Sequence, residues 1–533
     1  MTNLSTRFRV FCAIAASLLF FLLGASLAPF AGIQEDEALF AVPLYLYNPK
    51  ELYLRLWHWH IPLMVMSYVG TLKTFLYFFI FQIWHVTVWS VRLPMVCAGA
   101  LTVFLFYRFT TRVGGSFAGL CAAFLLATDP IFLVTNTFDW GPVALGHLLL
   151  VAGCLSLLRF GQHDHTMRVL AQGFFFLGLG LWNKALMFWI LGGLICGVTI
   201  FWPEVRQLLT FRRIGAAAAA FLIGALPFVI FNLKHRNATL GENFRFEPAS
   251  ISQIVVGKGH MVQGAMNGSG LLGFLPAPDW DGYQRPASTR RGKIADWIRN
   301  HLGDHRRTGF DFVFLAALAA VPWWWRKRGP WFALIFMLVT WMGMAITRGA
   351  GAAIHHAVLL WPFPQFFVAL VLASLPWRRA ATVAAVAMVA MNLLVVNQYL
   401  VEFDRDGAFG NFTDAIYRLS TAMPENHKTI YAIDWGMVNS LALLHQGRLT
   451  IYAVMGLFDH DHPDETERAV IKRIMEDPDG IFIGHVAGRE VFKGVNERAD
   501  QAAASLGFKK ETIQVIQDSH GRPVFEIFRF GRV

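Results

Sequence analysis

The chain has 533 residues, of which 55% are hydrophobic, 14% aromatic and only 15% charged, and its mean hydropathy is +0.46. This composition lies outside the range of soluble globular domains and predicts a polytopic α-helical membrane protein. The net charge of +11 does not indicate nucleic-acid binding, because no basic stripe with interleaved aromatic residues is present. Short basic loops at the cytoplasmic ends of helices account for it instead.

Apolar runs long enough to cross a bilayer recur through residues 1–402. The first, Val10–Ala31, follows Arg7 and Arg9 and is predicted to be an uncleaved first helix. Further runs begin near Val91, Phe117, Ala144, Leu170, Leu186, Ile214, Phe310, Trp331, Ala357 and Thr382. Together they predict about eleven transmembrane helices, since roughly 20 apolar residues cross the hydrocarbon core.

Basic residues decide the predicted orientation. Alternate connections are uniformly basic, namely Arg108–Arg112, Arg159–Arg168, Arg206–Arg213, Trp325–Arg328 and Trp377–Arg379. The positive-inside rule places them, and the N-terminus, in the cytoplasm. The opposite connections are mixed in charge and are expected outside, namely Gln34–Ser90, Thr135–Pro142, Trp182–Lys184, Asn232–Gly309 and Thr347–His356. An odd number of spans then puts the C-terminal region outside the cytoplasm.

Two outer loops are long, and a soluble domain follows the last span. Loop 34–90 is rich in aromatic residues and is predicted to form one or two amphipathic helices at the membrane interface. Loop 232–309 carries Gly-rich turns and a basic cluster. Residues 403–533 have a soluble composition; strands are expected at 429–433, 449–454, 480–485 and 524–528, with helices at 435–445 and 489–506. This alternation predicts a small extracytoplasmic α/β domain.

The polar groups suited to chemistry lie in the outer connections. Asp36 and Glu37 follow the first span, where Asp36 is predicted to cap a short helix with Glu37 in its first turn. Capping does not exclude catalysis. The same face carries Arg92, Asp139, Lys184, Arg348, His355 and His356. Because a charge among apolar segments costs about 2.5–3.5 kcal/mol on insertion scales, this cluster predicts a polar cavity at the outer face.

Four short motifs occur along the chain. They are Asp36-Glu37-Ala38-Leu39, Val91-Arg92-Leu93-Pro94-Met95, Gly178-Leu179-Gly180-Leu181-Trp182-Asn183-Lys184 and His355-His356-Ala357-Val358-Leu359-Leu360-Trp361-Pro362. Together they resemble the GT-C membrane glycosyltransferases of the protein O-mannosyltransferase and lipid A aminoarabinose transferase type (glycosyltransferase family 39). The family usually has Thr-Lys where this chain has Asn183-Lys184, and Pro-Pro-Leu where it has His60-Ile61-Pro62-Leu63.

The resemblance implies a GT-C fold and inverting transfer of a hexosyl or pentosyl group from a polyprenyl-phosphate donor to a hydroxyl of a protein, lipid or glycan. By the same resemblance Asp36 is the base, and Glu37 and Asp139 hold the acceptor or the base. The implied donor-phosphate contacts are Arg92, Lys184, Arg348, His355 and His356. The chemistry agrees, because a hydroxyl nucleophile needs a base, whereas a phosphate leaving group needs cations rather than a second carboxyl acid.

No cofactor or metal-ligand set is implied by the resemblance, although a divalent cation is left open. The expected partners are the polyprenyl-phosphate sugar, the acceptor and membrane lipids. Short cytoplasmic loops favour a bacterial inner (plasma) membrane as the location, with transfer at its outer face. The sequence does not identify the sugar or the acceptor.

Other classes of function fit parts of the sequence. A transporter or lipid flippase would also contain a polar cavity, but its ionisable residues would lie near the membrane midplane, and no internal repeat is present. A non-catalytic glycan-recognition protein would keep the fold with a degenerate site. A metalloenzyme fits poorly, because His58 and His60 would point to different faces of a helix and no HExxH motif occurs.

Overall fold

Helices dominate the chain up to Asp406, and one mixed sheet follows. The computed structural model describes residues 5–47, 52–56, 59–277, 285–423, 428–460 and 463–532. The helices are α1 (Thr6–Leu27), α2 (Glu35–Ala38), α3 (Leu72–Ile80), α4 (Val88–Thr128), α5 (Pro130–Phe138), α6 (Val143–Gln162), α7 (Met167–Asn183), α8 (Met187–Val198), α9 (Trp202–Leu208), α10 (Phe211–Gly224), α11 (Leu226–Lys234), α12 (Ala238–Asn243), α13 (Ile251–Met266), α14 (Arg290–Leu302), α15 (Phe310–Ala319), α16 (Val321–Trp324), α17 (Arg328–Ile346), α18 (Ile354–Ala357), α19 (Phe363–Leu372), α20 (Arg378–Asp406), α21 (Ala415–Ala422), α22 (Val438–Leu444), α23 (Glu465–Met475) and α24 (Val495–Ser505). The strands are β1 (Tyr53–Leu56), β2 (Trp59–Pro62), β3 (Met64–Met66), β4 (Val69–Gly70), β5 (Thr429–Ala432), β6 (Thr450–Ala453), β7 (Gly480–His485), β8 (Phe508–Gln517) and β9 (Pro523–Arg532).

In the described part of the chain, 6 helices are long and apolar enough to cross a membrane, or up to 8 if each of two bent pairs is one span. The bent pairs are α10 with α11, at 71°, and the segment beginning with α18 followed by α19, at 43°. The other predicted spans fall on shorter or broken helices, namely α7, α15 and the second half of α4 continued by α5. The total of about eleven therefore stays a prediction.

Helix α4 contains two of the predicted spans because the chain reverses within it. Gly115 has φ +80° and ψ 176°, a conformation that favours glycine. After this break Gly119 lies against Tyr107 and Thr111 of the preceding segment. The reversal follows Arg112, in a connection that was predicted to be basic and cytoplasmic.

The segment before α4, which was predicted to be an outer loop with one or two helices, contains two hairpins that were not predicted. It contains the hairpins β1–β2 and β3–β4, and α3 is its one helix of more than a single turn among the residues described there. Its aromatic residues are typical of strands as well as of interfacial helices, and here cross-strand pairing determines the structure. Trp57 and His58, two of the aromatic residues of loop 34–90, lie outside the described residues. The segment packs on the membrane domain, where the Ala185 N–H donates to Tyr68 O at 2.9 Å.

The C-terminal region forms the predicted α/β domain around a five-stranded sheet of order β6-β5-β7-β9-β8. Strands β6, β5 and β7 are parallel to one another, and β9 is antiparallel to both of its neighbours, β7 and β8. All four predicted strands are present. Helix α23 and strand β8 were not predicted, and the predicted helix 489–506 begins only at Val495. Helix α20 continues to Asp406, so the predicted domain boundary after residue 402 falls inside it and stays a prediction.

Candidate active site

The acidic segment folds into the single turn α2, and its cap is not the predicted one. Gln34 is the N-cap residue: its Oε1 accepts hydrogen bonds from Asp36 N at 2.7 Å and from Glu37 N at 3.0 Å. In return Glu37 Oε2 accepts from Gln34 N at 3.3 Å, which completes a capping box. Because Gln34 caps the turn, the Asp36 carboxylate is not used as a cap.

Glu37 is held by Arg92 in a buried, two-pronged ion pair. Arg92 Nε and Nη2 each donate to one Glu37 oxygen at 2.7 Å. Arg92 Nη1 donates to Ala28 O at 2.5 Å and Ala31 O at 2.8 Å, and Nη2 also donates to Gly32 O at 2.7 Å. A guanidinium has five N–H donors, and all are used within the protein. Arg92 therefore has no free N–H donor for the expected contact with the donor phosphate.

Asp139 joins the end of α5 to the start of α6. It adopts a left-handed conformation with φ +34°. Its Oδ1 accepts from Val143 N at 2.6 Å and Ala144 N at 3.0 Å, in the first turn of α6. Its Oδ2 lies 2.9 Å from Lys73 Nζ, which also donates to Asp139 O at 2.7 Å. Both side chains are buried, so Asp139 is held rigidly in place.

Lys73 was not among the predicted site residues. It belongs to α3, is completely buried, and its ammonium lies 4.6 Å from the centre of the Phe40 ring. The available sequence signal was a single lysine inside an apolar stretch. A buried lysine beside a buried aspartate is a stronger indication of a polar site than either residue alone.

Asp36 is the least restrained carboxylate of the segment. Its side chain is half-buried, whereas Glu35 and Glu37 are buried, and it forms no ion pair with any residue in the described ranges. Burial raises the pKa of Asp36, while a side-chain hydrogen bond from Gln34 and the nearby charge of Lys184 oppose the rise. Asp36 thus combines a desolvated carboxylate with partial exposure of its side chain.

Lys184 supplies a cation next to both aspartates. It follows the last residue of α7, is buried, and donates to Gly141 O at 3.1 Å. Its charge acts on Asp36, and that of Asp139 acts on Lys184. The motif residue Asn183 turns inward and donates to Pro142 O at 2.8 Å. The short connection between α7 and α8 therefore directs Lys184 into the protein.

The two histidines of the fourth motif are neighbours of Lys184. His355 and His356 belong to α18, and their ring centres are 4.3 Å apart. Trp140 Nε1 donates to His355 Nδ1 at 3.2 Å, so a neutral His355 carries its proton on Nε2. Lys184 is within electrostatic range of both rings. A His355 Nε2–H oriented in this way is a hydrogen-bond donor for an anionic ligand.

Arg348 is separate from this group. Its side chain is exposed, and its backbone N–H donates to Arg245 O at 2.7 Å. No hydrogen bond or ion pair links its side chain to the other site residues that the structure describes. Arg348 therefore lies on the exposed loop leading into α18.

A narrow cavity adjoins Lys184 between α6, α7 and α8. It is lined by Pro142, Gly146, His147, Leu150, Gly180, Asn183, Lys184, Met187, Ile190 and Leu359. Most of these side chains are apolar. Two polar atoms, His147 Nδ1 and Asn183 Oδ1, are buried without a hydrogen-bond partner. The cavity thus has one cationic residue, Lys184, and walls that are mainly hydrocarbon.

A family model described as dolichyl-phosphate-mannose-protein mannosyltransferase matches residues 71–231. The matched segment contains Lys73, Arg92, Asp139 and Lys184, and it excludes Asp36 and the two histidines. No curated protein sequence matches the chain. The family match thus covers the middle of the candidate site.

Solved structures are similar over the whole length. The crystal structure of ArnT from Cupriavidus metallidurans bound to undecaprenyl phosphate has a TM-score of 0.59 at 10% identity, and the match covers 98% of each chain. Its apo state has a TM-score of 0.57 at 12% identity with the same coverage. The chain has the GT-C fold. A weaker similarity, with a TM-score of 0.48 at 12% identity over 98% of this chain and 74% of the other, is to the archaeal oligosaccharyltransferase AglB from Archaeoglobus fulgidus in complex with an inhibitory peptide and a dolichol-phosphate.

The GT-C fold confirms the fold class and the resemblance expected from the sequence. On this fold Asp36, Asp139, Lys184 and the two histidines come together, with Lys73 added to them. Within the ranges described, no group of three or more His, Cys, Asp or Glu side chains is arranged to hold a metal ion. Dependence on a divalent cation, which the sequence left open, stays a question for experiment.

Proposed function

We propose that this chain transfers a sugar from a polyprenyl-phosphate donor to an acceptor hydroxyl, with inversion at the anomeric carbon, at the outer face of a bacterial inner membrane. One observation carries the proposal. Of the three consecutive carboxylates 35–37, Glu35 and Glu37 are buried and bound to other parts of the protein, and Asp36 alone is half-buried and without an ion pair. A base must be accessible to its substrate in this way.

The proposed step needs one base and one anionic leaving group. Asp36 accepts the proton of the acceptor hydroxyl while the hydroxyl oxygen bonds to the anomeric carbon. The bond from that carbon to the phosphate oxygen breaks, and polyprenyl phosphate leaves with the electron pair. Attack from the face opposite the phosphate inverts the configuration. No second carboxylic acid is required, because the leaving phosphate is already stable as an anion.

The cations have separate roles in this proposal. Lys184 and the His355 Nε2–H stabilise the charge that develops on the phosphate. Arg348, which lies apart from them on the exposed loop, is assigned no direct contact with the phosphate. Lys73 fixes Asp139, which orients the acceptor beside Asp36. Arg92 and Glu37 position the acidic turn and do not touch the substrate. A donor whose phosphate is attached to hydrocarbon is supported by ArnT, which shares the fold and was crystallised with undecaprenyl phosphate.

The proposed function is tested with purified protein in lipid vesicles and labelled polyprenyl-phosphate sugars of known anomeric configuration. We expect the label to appear on an acceptor hydroxyl with the opposite configuration. Movement of unchanged labelled lipid across the membrane, without covalent transfer, would favour the flippase alternative instead. The same assay with and without a chelator measures any dependence on a divalent cation.

Replacement of Lys184 tests the phosphate contact. Lys184→Ala is expected to raise the KM for the donor about 10–100-fold, because a hydrogen bond to a charged group contributes roughly 1.5–3 kcal/mol. The KM for the acceptor should change much less. Lys258→Ala is the matched control, since Lys258 is also buried but donates to backbone carbonyls at the end of α17. An unchanged donor KM in Lys184→Ala would remove Lys184 from this role.

The pH dependence of the reaction tests Asp36 as the base. Burial raises the pKa of Asp36, so activity at saturating donor should fall with acid at a higher pH than the usual carboxyl value of about 4. The donor is a phosphodiester and has no proton to lose in that range. Because the Lys184 charge lowers the pKa of Asp36, Lys184→Ala should move the acid limb to still higher pH. An acid limb at or below the usual value would contradict the assignment.

A further inference from the structure

The three carboxylates 35–37 have different surroundings. Glu37 binds Arg92 of the membrane domain, and Asp36 is half-buried without an ion pair among the described residues. Glu35 faces the C-terminal domain, where its Oε1 and Oε2 accept from the Asn439 N–H at 3.1 and 2.9 Å. Asn439 lies in the first turn of α22, whose N–H groups have no partner within the helix. Glu35 therefore connects two regions that are 404 residues apart in sequence.

Further contacts hold the chain just before Glu35. The Gly32 N–H donates to Phe412 O at 2.7 Å, and Ser440 Oγ donates to Ile33 O at 2.9 Å. Gly32 approaches the domain so closely that a Cβ atom there would lie 2.1 Å from Thr413 O, which only glycine avoids. The segment from Gly32 to Glu35 is thus fixed to the C-terminal domain by its backbone and by one buried side chain.

Apolar packing completes this interface. Ile33 and Ala38 are buried in one cluster with Ala442 and Leu443, which lie in the last turn of α22. This cluster excludes water from the Glu35 contact, since Glu35 itself is only 5% exposed. A hydrogen bond shielded from water is stronger than one at the surface. The interface can therefore define the position of the acidic turn.

We propose that the C-terminal domain positions the catalytic base, and that Glu35 is the positioning residue through which it does so. The inference rests on the proposed role of Asp36. Asp36 lies one residue from Glu35 on the domain side and one residue from Glu37 on the membrane side, so its place is set by both anchors. Consecutive Cα atoms are about 3.8 Å apart, and a displacement of one anchor passes directly to Asp36. A shift of about 1 Å at a reacting group can cost about 10²-fold in rate.

The protonation state of Glu35 suggests which substitution preserves the contact. Burial raises the pKa of Glu35 to about 7, although the N–H groups of Asn439 and Ser440 oppose the rise. A carboxyl whose pKa is raised on folding favours the folded form when protonated, and this contribution is lost as pH rises through about 7. Glutamine resembles the protonated carboxyl and keeps an oxygen to accept the Asn439 N–H. Glu35→Gln should therefore preserve the interface, and Glu35→Ala should not.

The test compares Glu35→Ala and Glu35→Gln in the full-length protein in lipid nanodiscs. Glu35→Ala is expected to lower kcat about 10–100-fold and to increase amide hydrogen exchange in residues 33–39, with exchange in the β5–β7–β9 sheet unchanged. Glu35→Gln should restore both values close to those of the wild type. Ser440→Ala, which removes the neighbouring hydrogen bond to Ile33 O from the domain side, should change both in the same direction as Glu35→Ala.

Glu526→Ala is the matched control, because Glu526 is a buried glutamate of the same domain that pairs with Lys510 on the sheet, away from the acidic turn. It should keep wild-type kcat and wild-type exchange in residues 33–39. The proposal is overturned if Glu35→Ala leaves exchange in 33–39 unchanged, if Glu35→Gln is as slow as Glu35→Ala, or if Glu526→Ala is equally slow. Failure of the proposed function would look different, since the wild type itself would then transfer no sugar.

Discussion

Asp36→Asn is expected to lower the rate of sugar transfer by about 10²–10⁴-fold, the usual contribution of a positioned general base. Asparagine has nearly the same shape but cannot accept the proton of the attacking hydroxyl at neutral pH. The fold should be unaffected, because Asp36 takes part in the capping box only through its backbone N–H, at 2.7 Å from Gln34 Oε1. The measurement is single-turnover transfer from a labelled polyprenyl-phosphate sugar in vesicles, with donor affinity measured separately.

Glu402→Gln is the matched control for this result. Glu402 is a buried carboxylate on α20, bonded to Arg306 and to Gln398 Nε2 at 3.0 Å, and it has no contact with the acidic turn. The same loss of one charge should there leave transfer close to the wild-type rate. Near-normal turnover by Asp36→Asn would remove Asp36 from the role of base. Loss of donor binding in Asp36→Asn would also contradict it, because removal of a negative charge cannot weaken attraction to a phosphate.

The sequence was sufficient for the fold class and for much of the site because both depend on local signals. Span-length apolar runs and the basic loops between them predict a polytopic helical protein, and the four motifs resemble the GT-C enzymes. Asp36, Asp139 and Lys184 each stand at the end of an apolar run, so one orientation rule places them on the same face. Their proximity in the structure follows from that common face.

Roles that depend on long-range contacts could not be predicted. Arg92 looked like a phosphate ligand, yet its donors are all taken by Glu37 and three carbonyls near the end of α1. Glu35 carries no local signal of its role, yet it binds a backbone N–H far along the chain. Lys73 was masked by the apolar run around it. In each case the partner is distant in sequence, and neither hydrophobic periodicity nor motif spacing predicts a contact between such distant residues.

The hairpins of loop 34–90 were not predicted, for a different reason. The aromatic residues of this loop fit both an interfacial helix and a strand, and pairing between neighbouring segments decides between them. The cap of α2 was missed because Gln34 is not among the usual N-cap residues. Its spacing of three residues from Glu37 was the available signal, since a capping box requires that spacing. Local rules therefore located the acidic turn correctly but not its hydrogen bonds.

Arg92→Met is expected to destabilise the protein by about 3–5 kcal/mol, the usual cost of breaking a buried ion pair by removing one partner. Glu37 would remain buried and unpaired, and three backbone carbonyls would lose their donors. Since the whole stability of a domain is about 5–15 kcal/mol, this loss should be visible as low yield and early thermal unfolding in detergent. Transfer activity per folded molecule should fall as well, because the turn that holds Asp36 loses its anchor on the membrane side.

The double variant Arg92→Met with Glu37→Met separates charge burial from packing. Replacing both partners of a buried ion pair by apolar residues is often close to neutral, so the double variant should unfold at a higher temperature than Arg92→Met alone. Arg328→Met is the control, because Arg328 pairs with Glu204 at an exposed position and should leave the unfolding temperature near the wild type's. A double variant less stable than Arg92→Met would show that Glu37 is stabilised by groups other than Arg92. A wild-type unfolding temperature in Arg92→Met would contradict the assignment of Arg92 as the anchor that joins α1, α2 and α4.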